Sequence, residues 1–358
     1  MATPRPATAS TPASSSVVAP PLPHDSWDCM LPGPPSRSNF GSADLSSSGL
    51  IAFAAGSSIS VVDSRSMQLV ATVPMPPPTS SAASSFSAMA SNSSSSSSSS
   101  SSLSPFVTSV RWTPLPLRRD LLSTEPSSSH LLLAAADRQG RIALLDLRLR
   151  VPVLWFESDP PRVSVQDLCW VQARPDSYLL AAVSGPSSLS LYSTTTGRCV
   201  WKYDASPEFL SCIRRDPFDA RHFCVIGLKG FLLSVKVLGE TENDVVIKEL
   251  QIRTDCAELV KLERDAANGG GSSSSSPASA VFPLYMVKFA FSPQWRHVLF
   301  VTFPKELVVF DLQYETVLFS TALPRGCGKF LDVLPDPNNG FLYCAHLDGK
   351  LSTWRRKE

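Results

Sequence analysis

Short apolar runs closed by a small or polar turn recur along the chain: LIAFAAG from Leu50, HLLLAAADRQG from His130, YLLAAVSG from Tyr178, FCVIGLKG from Phe223, HVLFVTF from His297 and FLYCAHLDG from Phe341. A second short run follows each of them: ISVVD from Ile59, IALLD from Ile142, LSLYS from Leu189, LLSVK from Leu232, LVVFD from Leu307 and LSTW from Leu351. A third, alternating or aromatic, precedes: VTSVRW from Val107, VQDLCW from Val165, LSCIRRDPFD from Leu210, MVKFAFSP from Met286 and FLDVLPDP from Phe330. A fourth often comes after: QLVATV from Gln68, VLWF from Val153, CVWKY from Cys199 and VLFSTAL from Val317. Four strands per unit, at a period of about 40 to 50 residues, is the pattern of a β-propeller.

The physics of a blade accounts for the pattern. Neighbouring sheets cover both faces of its middle strands, so LLLAAA and LLAAV read as continuous apolar runs instead of alternation. Asp63, Asp146 and Asp311 close the second strands, where WD repeats carry an Asp after a Trp, and Gly140, Gly230 and Gly349 fall in turns that need positive φ. A parallel α/β fold would require amphipathic helices between strands. Only Ala257 to Asn268 reads as one, and Gly269 to Gly271 end it. The expected fold is therefore an all-β WD-repeat propeller, incomplete, with about five full blades plus part of a sixth that stops after LSTWRRKE. Because such propellers commonly close with more blades, the expectation is a truncated portion of something longer. Residues 1–38 read as a disordered Pro/Ser-rich tail and 39–358 as the partial propeller, interrupted by low-complexity loops at 76–104 and 263–281 that bury too little apolar surface to order.

Composition narrows the class. Of 358 residues, 18% are charged and 43% hydrophobic, and 32 Lys and Arg nearly cancel 31 Asp and Glu, so no global field recruits nucleic acid or anionic lipid. Serine is concentrated in runs, the longest Ser93 to Ser102. Eight cysteines (29, 169, 199, 212, 224, 256, 327 and 344) form no C-x-x-C pair, and several sit in apolar runs, as reduced buried thiols of a cytoplasmic protein do. The stretch Val281 to Phe291 is broken by Pro283 and Lys288 and falls short of the roughly 18 residues a membrane span needs. The N-terminus lacks an apolar signal core. Its Ser, Ala, Thr and Pro content resembles a plastid transit peptide, but a single Arg5 and repeated prolines favour a plain tail.

Catalytic chemistry is not visible. There is no G-x-S-x-G, H-E-x-x-H or G-x-G-x-x-G, and the chain is read as no enzyme, with no catalytic, cofactor-binding or metal-binding residue, no cofactor and no small-molecule substrate. Gly326-Cys-Gly-Lys329 lacks both the first glycine and the Ser/Thr of a phosphate loop and reads as a turn. Asp216-Pro-Phe-Asp219 reads as a turn whose carboxylates accept nearby backbone amides, and Asp348-Gly349 as a hairpin turn. His130, His222 and His297, at strand starts, read as structural. Arg111, Arg118, Arg119, Arg138, Arg141, Arg148 and Arg150 form a modest basic cluster, read as a solvated face before an anionic-lipid or acidic-peptide site. Trp112, Trp170, Trp201 and Trp354 read as blade packing.

Several stretches carry a resemblance: LPGPPSRSNFGSADLSSSGLIAFAAGSSISVVDSRSMQLV at 31–70, VSVQDLCWVQARPDSYLLAAVSGPSSLSLYSTTTGRCVWKY at 163–203, DPFDARHF at 216–223 and FLYCAHLDGKLSTWRRK at 341–357. Together they resemble the first propeller of plant-type members of the WD-repeat protein eleven family. That family has a pair of propellers and a helical C-terminal part, and this chain matches most of the first propeller only. The resemblance implies a non-catalytic scaffold in vesicle tethering at the trans-Golgi network, cytoplasmic and Golgi-associated, with vesicle-tethering subunits as protein partners. It implies no nucleic acid and at most peripheral membrane association. A nuclear or signalling-associated WD adaptor is the alternative, as is a fragment without independent function.

Overall fold

A computed structural model describes residues 39, 42–75, 106–114, 131–157, 163–175, 177–255, 257–268 and 286–355. They form six antiparallel sheets, each built from consecutive strands. The first holds β1 (Ala43–Leu45), β2 (Leu50–Ala55), β3 (Ser58–Asp63) and β4 (Leu69–Pro74), and the second β5 (Val107–Trp112), β6 (Leu132–Asp137), β7 (Ile142–Asp146) and β8 (Val151–Phe156). The third holds β9 (Val165–Arg174), β10 (Ser177–Ser184), β11 (Ser188–Ser193) and β12 (Cys199–Asp204). The fourth comprises β13 (Leu210–Arg215), β14 (His222–Gly227), β15 (Phe231–Val237) and β16 (Val245–Gln251), and the fifth β17 (Lys288–Phe291), β18 (Val298–Phe303), β19 (Glu306–Asp311) and β20 (Thr316–Ala322). The sixth has three described strands, β21 (Phe330–Pro335), β22 (Phe341–His346) and β23 (Leu351–Arg355). The first strand of every sheet touches the first strand of the next, so β1, β5, β9, β13, β17 and β21 are the inner strands.

Period-two alternation explains how the sheets stack. In β6, Leu133 and Ala135 join the core shared with the first sheet, while Ala134 and Ala136 join the core shared with the third. In β10, Leu180 and Ala182 face back to the second sheet and Leu179, Ala181 and Val183 face forward to the fourth. One strand thus supplies two cores. Among the described residues five such cores join the six sheets in chain order. The outer strands carry little of this burden: β20 is almost wholly exposed, whereas all six residues of β18 are buried.

The repeat extends to register. In the first, second, third and fifth sheets the outer pair slips by one residue, leaving Val70, Val153, Val200 and Leu318 as the extra residue of a bulge. The turn glycines behave as their positions require. Gly230 has φ +84°, and a Cβ there would lie 2.2 Å from the Ile252 carbonyl oxygen. Gly140 and Gly349 also have positive φ. Asp63, Asp146 and Asp311 each accept backbone amides of the turn that follows, such as Gln313 N–H to Asp311 Oδ1 at 2.7 Å.

Two strands depart from the sequence reading. β1, only Ala-Asp-Leu, and β16, VVIKELQ, were not among the expected runs. Both lie at sheet edges with most residues exposed, so neither shows a continuous apolar signature. The helix α1 (Ala257–Asn268) is where the sequence places it, so the expected loop 263–281 begins as helix up to Asn268. The rest of that loop, the loop 76–104 and the tail 1–38 lie outside the described residues.

Candidate functional site

Two polar constellations stand out, one on the inner strands and one in a groove between the fourth and fifth sheets. On the inner strands, Asp167 of β9 is buried, 4% exposed, between two guanidiniums. Arg111 of β5 reaches Asp167 Oδ1 with Nη2 at 2.5 Å, and Arg214 of β13 reaches Oδ2 with Nη1 at 2.7 Å. The amides of Leu168 and Ile213 donate to the same carboxylate, at 2.9 and 3.3 Å. Burial opposes ionisation of Asp167, but Arg111, Arg214 and the Lys288 ammonium outweigh it and hold the carboxyl well below the usual carboxylate range. The chain of charges continues in both directions. Asp44 of β1 feels Arg111 and accepts the Trp112 amide at 2.7 Å, with burial lifting its carboxyl above the ordinary value; Arg214 also feels Asp332 of β21. Asp44, Arg111, Asp167, Arg214, Lys288 and Asp332 therefore place three carboxylates and three cations along six consecutive inner strands, to which Arg174 of β9 and Arg215 of β13 add two further positive charges.

Neutral groups tie the same strands together. The Trp112 indole N–H donates to the Asp44 carbonyl at 3.1 Å, and one sheet on, the Trp170 indole donates to the Arg111 carbonyl at 3.3 Å. Both indoles are buried, at 6% and 4% exposure. These tryptophans are packing residues that also satisfy their N–H across a sheet boundary, as buried indoles do. Ser211 repeats the device with its hydroxyl, which donates to the Val287 carbonyl at 2.6 Å.

The second constellation contains an Asp–His–Ser relay. Asp216 Oδ2 lies 2.9 Å from His222 Nδ1, and His222 Nε2 lies 2.8 Å from Ser234 Oγ. They line a groove of about 600 Å³ with Phe218, Lys236, Lys248, Arg296 and His297 among its walls. Such distances are those of a nucleophile–base–orienter set. The backbone argues against that chemistry. Ser234 sits in β15, an interior strand laddered to β14 and β16, so its neighbourhood of N–H groups is consumed by the sheet and offers no oxyanion donors. His222 also stands edge-on to Phe291 of the fifth sheet at 5.9 Å, which makes the relay a polar clamp at a sheet boundary. Burial works against ionisation of Asp216, but His222 and the Phe218 amide hold its carboxyl below the ordinary value. His222→Ala should strip Asp216 Oδ2 and Ser234 Oγ of their imidazole contacts, leaving Asp216 its Phe218 amide, and cost about 1–3 kcal/mol, seen as a lower urea midpoint. Ser234→Ala should leave hydrolysis of an activated ester at the level of the parent chain; a drop would reinstate the catalytic reading.

The remaining sequence candidates fall into place around these two. The Asp216-Pro-Phe-Asp219 turn forms as expected, with amides of Phe218 and Arg221 donating to Asp216 and Asp219 at 2.8 and 3.0 Å. Gly326 to Lys329 is the turn between β20 and β21, and Lys329 pairs with Glu258 of α1. Asp348 and Gly349 make the β22–β23 turn. His297 lies in an exposed turn with φ +66°. His130, Arg118 and Arg119 lie outside the described residues. The basic cluster does not converge: Arg111 serves Asp167, Arg141 serves Asp137, Arg148 serves Asp146, and Arg138 stacks over Phe106. Cys169, Cys212, Cys224 and Cys344 are buried, and burial pushes the Cys169 and Cys344 thiols up to about 12. Among the described residues no group of three His, Cys, Asp or Glu side chains forms a metal set.

Sequence reasoning missed the inner-strand charges, and the signal was present. Set in register, VTSVRW, VQDLCW, LSCIRR and FLDVLP carry buried apolar residues at positions one and four. Their third and fifth positions hold Ser109 and Arg111, Asp167 and Cys169, Cys212 and Arg214, and Asp332 and Leu334.

The family model and the sequence relatives agree on one lineage. A family model described as the WDR11 first beta-propeller matches residues 33–358. WD repeat-containing protein 11 of Mus musculus is 23% identical over 254 residues, covering 68% of this chain and 20% of the relative. The Homo sapiens protein of the same name is 24% identical over 230 residues, covering 61% of this chain and 18% of the relative. The chain thus spans about a fifth of the length of these curated relatives. A chain in the crystal structure of a mitotic checkpoint complex superposes with a TM-score of 0.56 at 11% identity, over 91% of this chain and 78% of that one; a likeness at this identity concerns the fold alone.

Proposed function

The chain belongs to the WDR11 family, as its first β-propeller, and on that premise we propose that it is the docking part of a scaffold that works in vesicle tethering at the trans-Golgi network. The coarser statement stands on family and fold together: this is a WD-repeat protein-interaction scaffold. The observation that carries it is the division of labour in each sheet. Rigid apolar cores hold the inner and middle strands, while outer strands and turns present Leu69, Val153, Trp155, Val317 and Phe319 to solvent at 42% exposure or more. Such surfaces on a stiff frame suit partner docking. The arginines between 111 and 150 are dispersed, with Arg111, Arg141 and Arg148 each paired to its own carboxylate, so they do not converge on an anionic ligand.

The finer reading, a cytoplasmic, Golgi-associated protein with vesicle-tethering subunits as partners, draws its support from family membership. The test is recovery of the tagged 358-residue chain from cells, with co-purifying proteins identified by mass spectrometry and the chain located by fluorescence. Enrichment of tethering components over a tag-only control, with perinuclear co-localisation, is the expected result. A folded chain that brings down none of them, or that collects in the nucleus with nuclear partners, overturns the trafficking role and leaves the scaffold.

A further inference from the structure

The outer edges of the sheets are not protected alike. A sheet edge exposes unpaired N–H and C=O groups, and proline or charge is the usual defence against pairing with another chain. β4 ends on Pro74, β8 contains Pro152, β12 carries Lys202, and β16 carries Lys248 and Glu249. β20, TVLFSTA, has neither proline nor charge in seven residues. It is the last strand of its sheet, and Val317, Leu318 and Phe319 are 43%, 56% and 52% exposed. The bulge at Leu318 is shared with three other outer strands, so it does not single β20 out; from Phe319 to Ala322 the pairing with β19 is regular.

Along the chain the nearest charges flank this strand at its two ends, and at its middle the Ser320 hydroxyl donates to the Glu306 carboxylate of β19. Glu315 precedes it and already holds Lys248 of the fourth sheet through Oε1, which leaves the second carboxylate oxygen available. Arg325 follows it, exposed in the turn toward β21, with no ion pair among the described residues. The arrangement is self-complementary: one end acidic, the other basic, with Ser320 midway, uncharged residues between, and Pro324 beyond the strand's last residue Ala322 where the two edges part. We propose that β20 is a dimerisation edge, at which two copies of this chain pair antiparallel about a two-fold axis near Ser320 and set Glu315 of each against Arg325 of the other. A two-fold axis makes the contact isologous, so each copy contributes the same edge and the assembly closes at two. An unrelated extended peptide would satisfy the backbone equally well, but a second copy supplies both end charges in register.

The experiment is sedimentation of the 358-residue chain across roughly 1–100 µM. A concentration-dependent dimer is expected. Phe319→Lys should abolish it while the urea midpoint, read at a concentration where the parent is monomeric, stays that of the parent, because the ring is 52% exposed. Glu315→Arg and Arg325→Glu should each weaken it by about tenfold through like-charge contact, and the double variant should restore it. A monomer at every concentration, a dimer indifferent to Phe319→Lys, or a double variant no better than either single one overturns the proposal.

Discussion

Asp167→Asn should lower the stability of the propeller by roughly 3–5 kcal/mol at neutral pH, the usual result of removing one partner from a buried ion pair. The loss would come less from the two ion pairs forgone than from what stays behind. Arg111 and Arg214 have 14% and 28% exposed side chains, and without the carboxylate their charges would remain largely desolvated on adjacent inner strands. The pH dependence gives the prediction a second edge. The folded-state carboxyl titrates below its unfolded value, so the contribution of Asp167 is complete above the unfolded carboxylate range near pH ~4 and is withdrawn as pH falls beneath it. Urea midpoints of parent and variant should therefore lie far apart at pH 7 and draw together in acid. A deficit below about 1 kcal/mol at pH 7 would place the network among ornaments of the fold rather than its supports.

Phe289→Ala should cost about 3–5 kcal/mol as well, for a different reason. Phe289 is 1% exposed in the core shared by the fourth and fifth sheets, where it meets Phe291 edge-on at 5.8 Å. Truncation forfeits the transfer energy of the ring and leaves a void between two sheets whose backbones are held by their own ladders, so the space cannot collapse. The internal control is Phe319→Ala on the outer strand of the same sheet, where the ring is 52% exposed and the expected change is within about 0.5 kcal/mol. Matched denaturation curves decide the point: similar midpoints for the two alanine variants would mean the inter-sheet core is not what holds this blade.

The blades were legible in the sequence because burial on both faces writes itself as an uninterrupted apolar run, and this signal needs no partner residue to be identified. The runs from Tyr178, Phe223 and His297 became the strands β10, β14 and β18, each buried almost throughout. Edge strands lack that signature. β16 pairs with β15 over seven residues, yet four of its residues in succession are exposed, so VVIKELQ carries no pattern that distinguishes it from a loop. The polar sites were legible one residue at a time and illegible as sets. Asp167 meets residues 56 and 47 positions away in sequence, a separation that composition and local spacing cannot see. Conversely, the arginines between 111 and 150 looked like a group because they are close in sequence, and the fold sends them to separate carboxylates. The Asp216 turn was read correctly for its amides, but its link to Ser234 through His222 depends on the β14–β15 register, in which His222 faces Lys236 and Cys224 faces Ser234.

The splitting of single strands between two cores has an evolutionary consequence. Among the described residues each sheet shares its apolar cores with its immediate neighbours, the fourth and fifth sheets taking in Leu259 of α1 as well. A substitution at Ala134 is judged by the third sheet and one at Ala135 by the first, so compensating changes need arise only next door. Descent can then proceed blade by blade, one boundary drifting while the others stand still, and lineages can part widely in sequence while preserving a common frame.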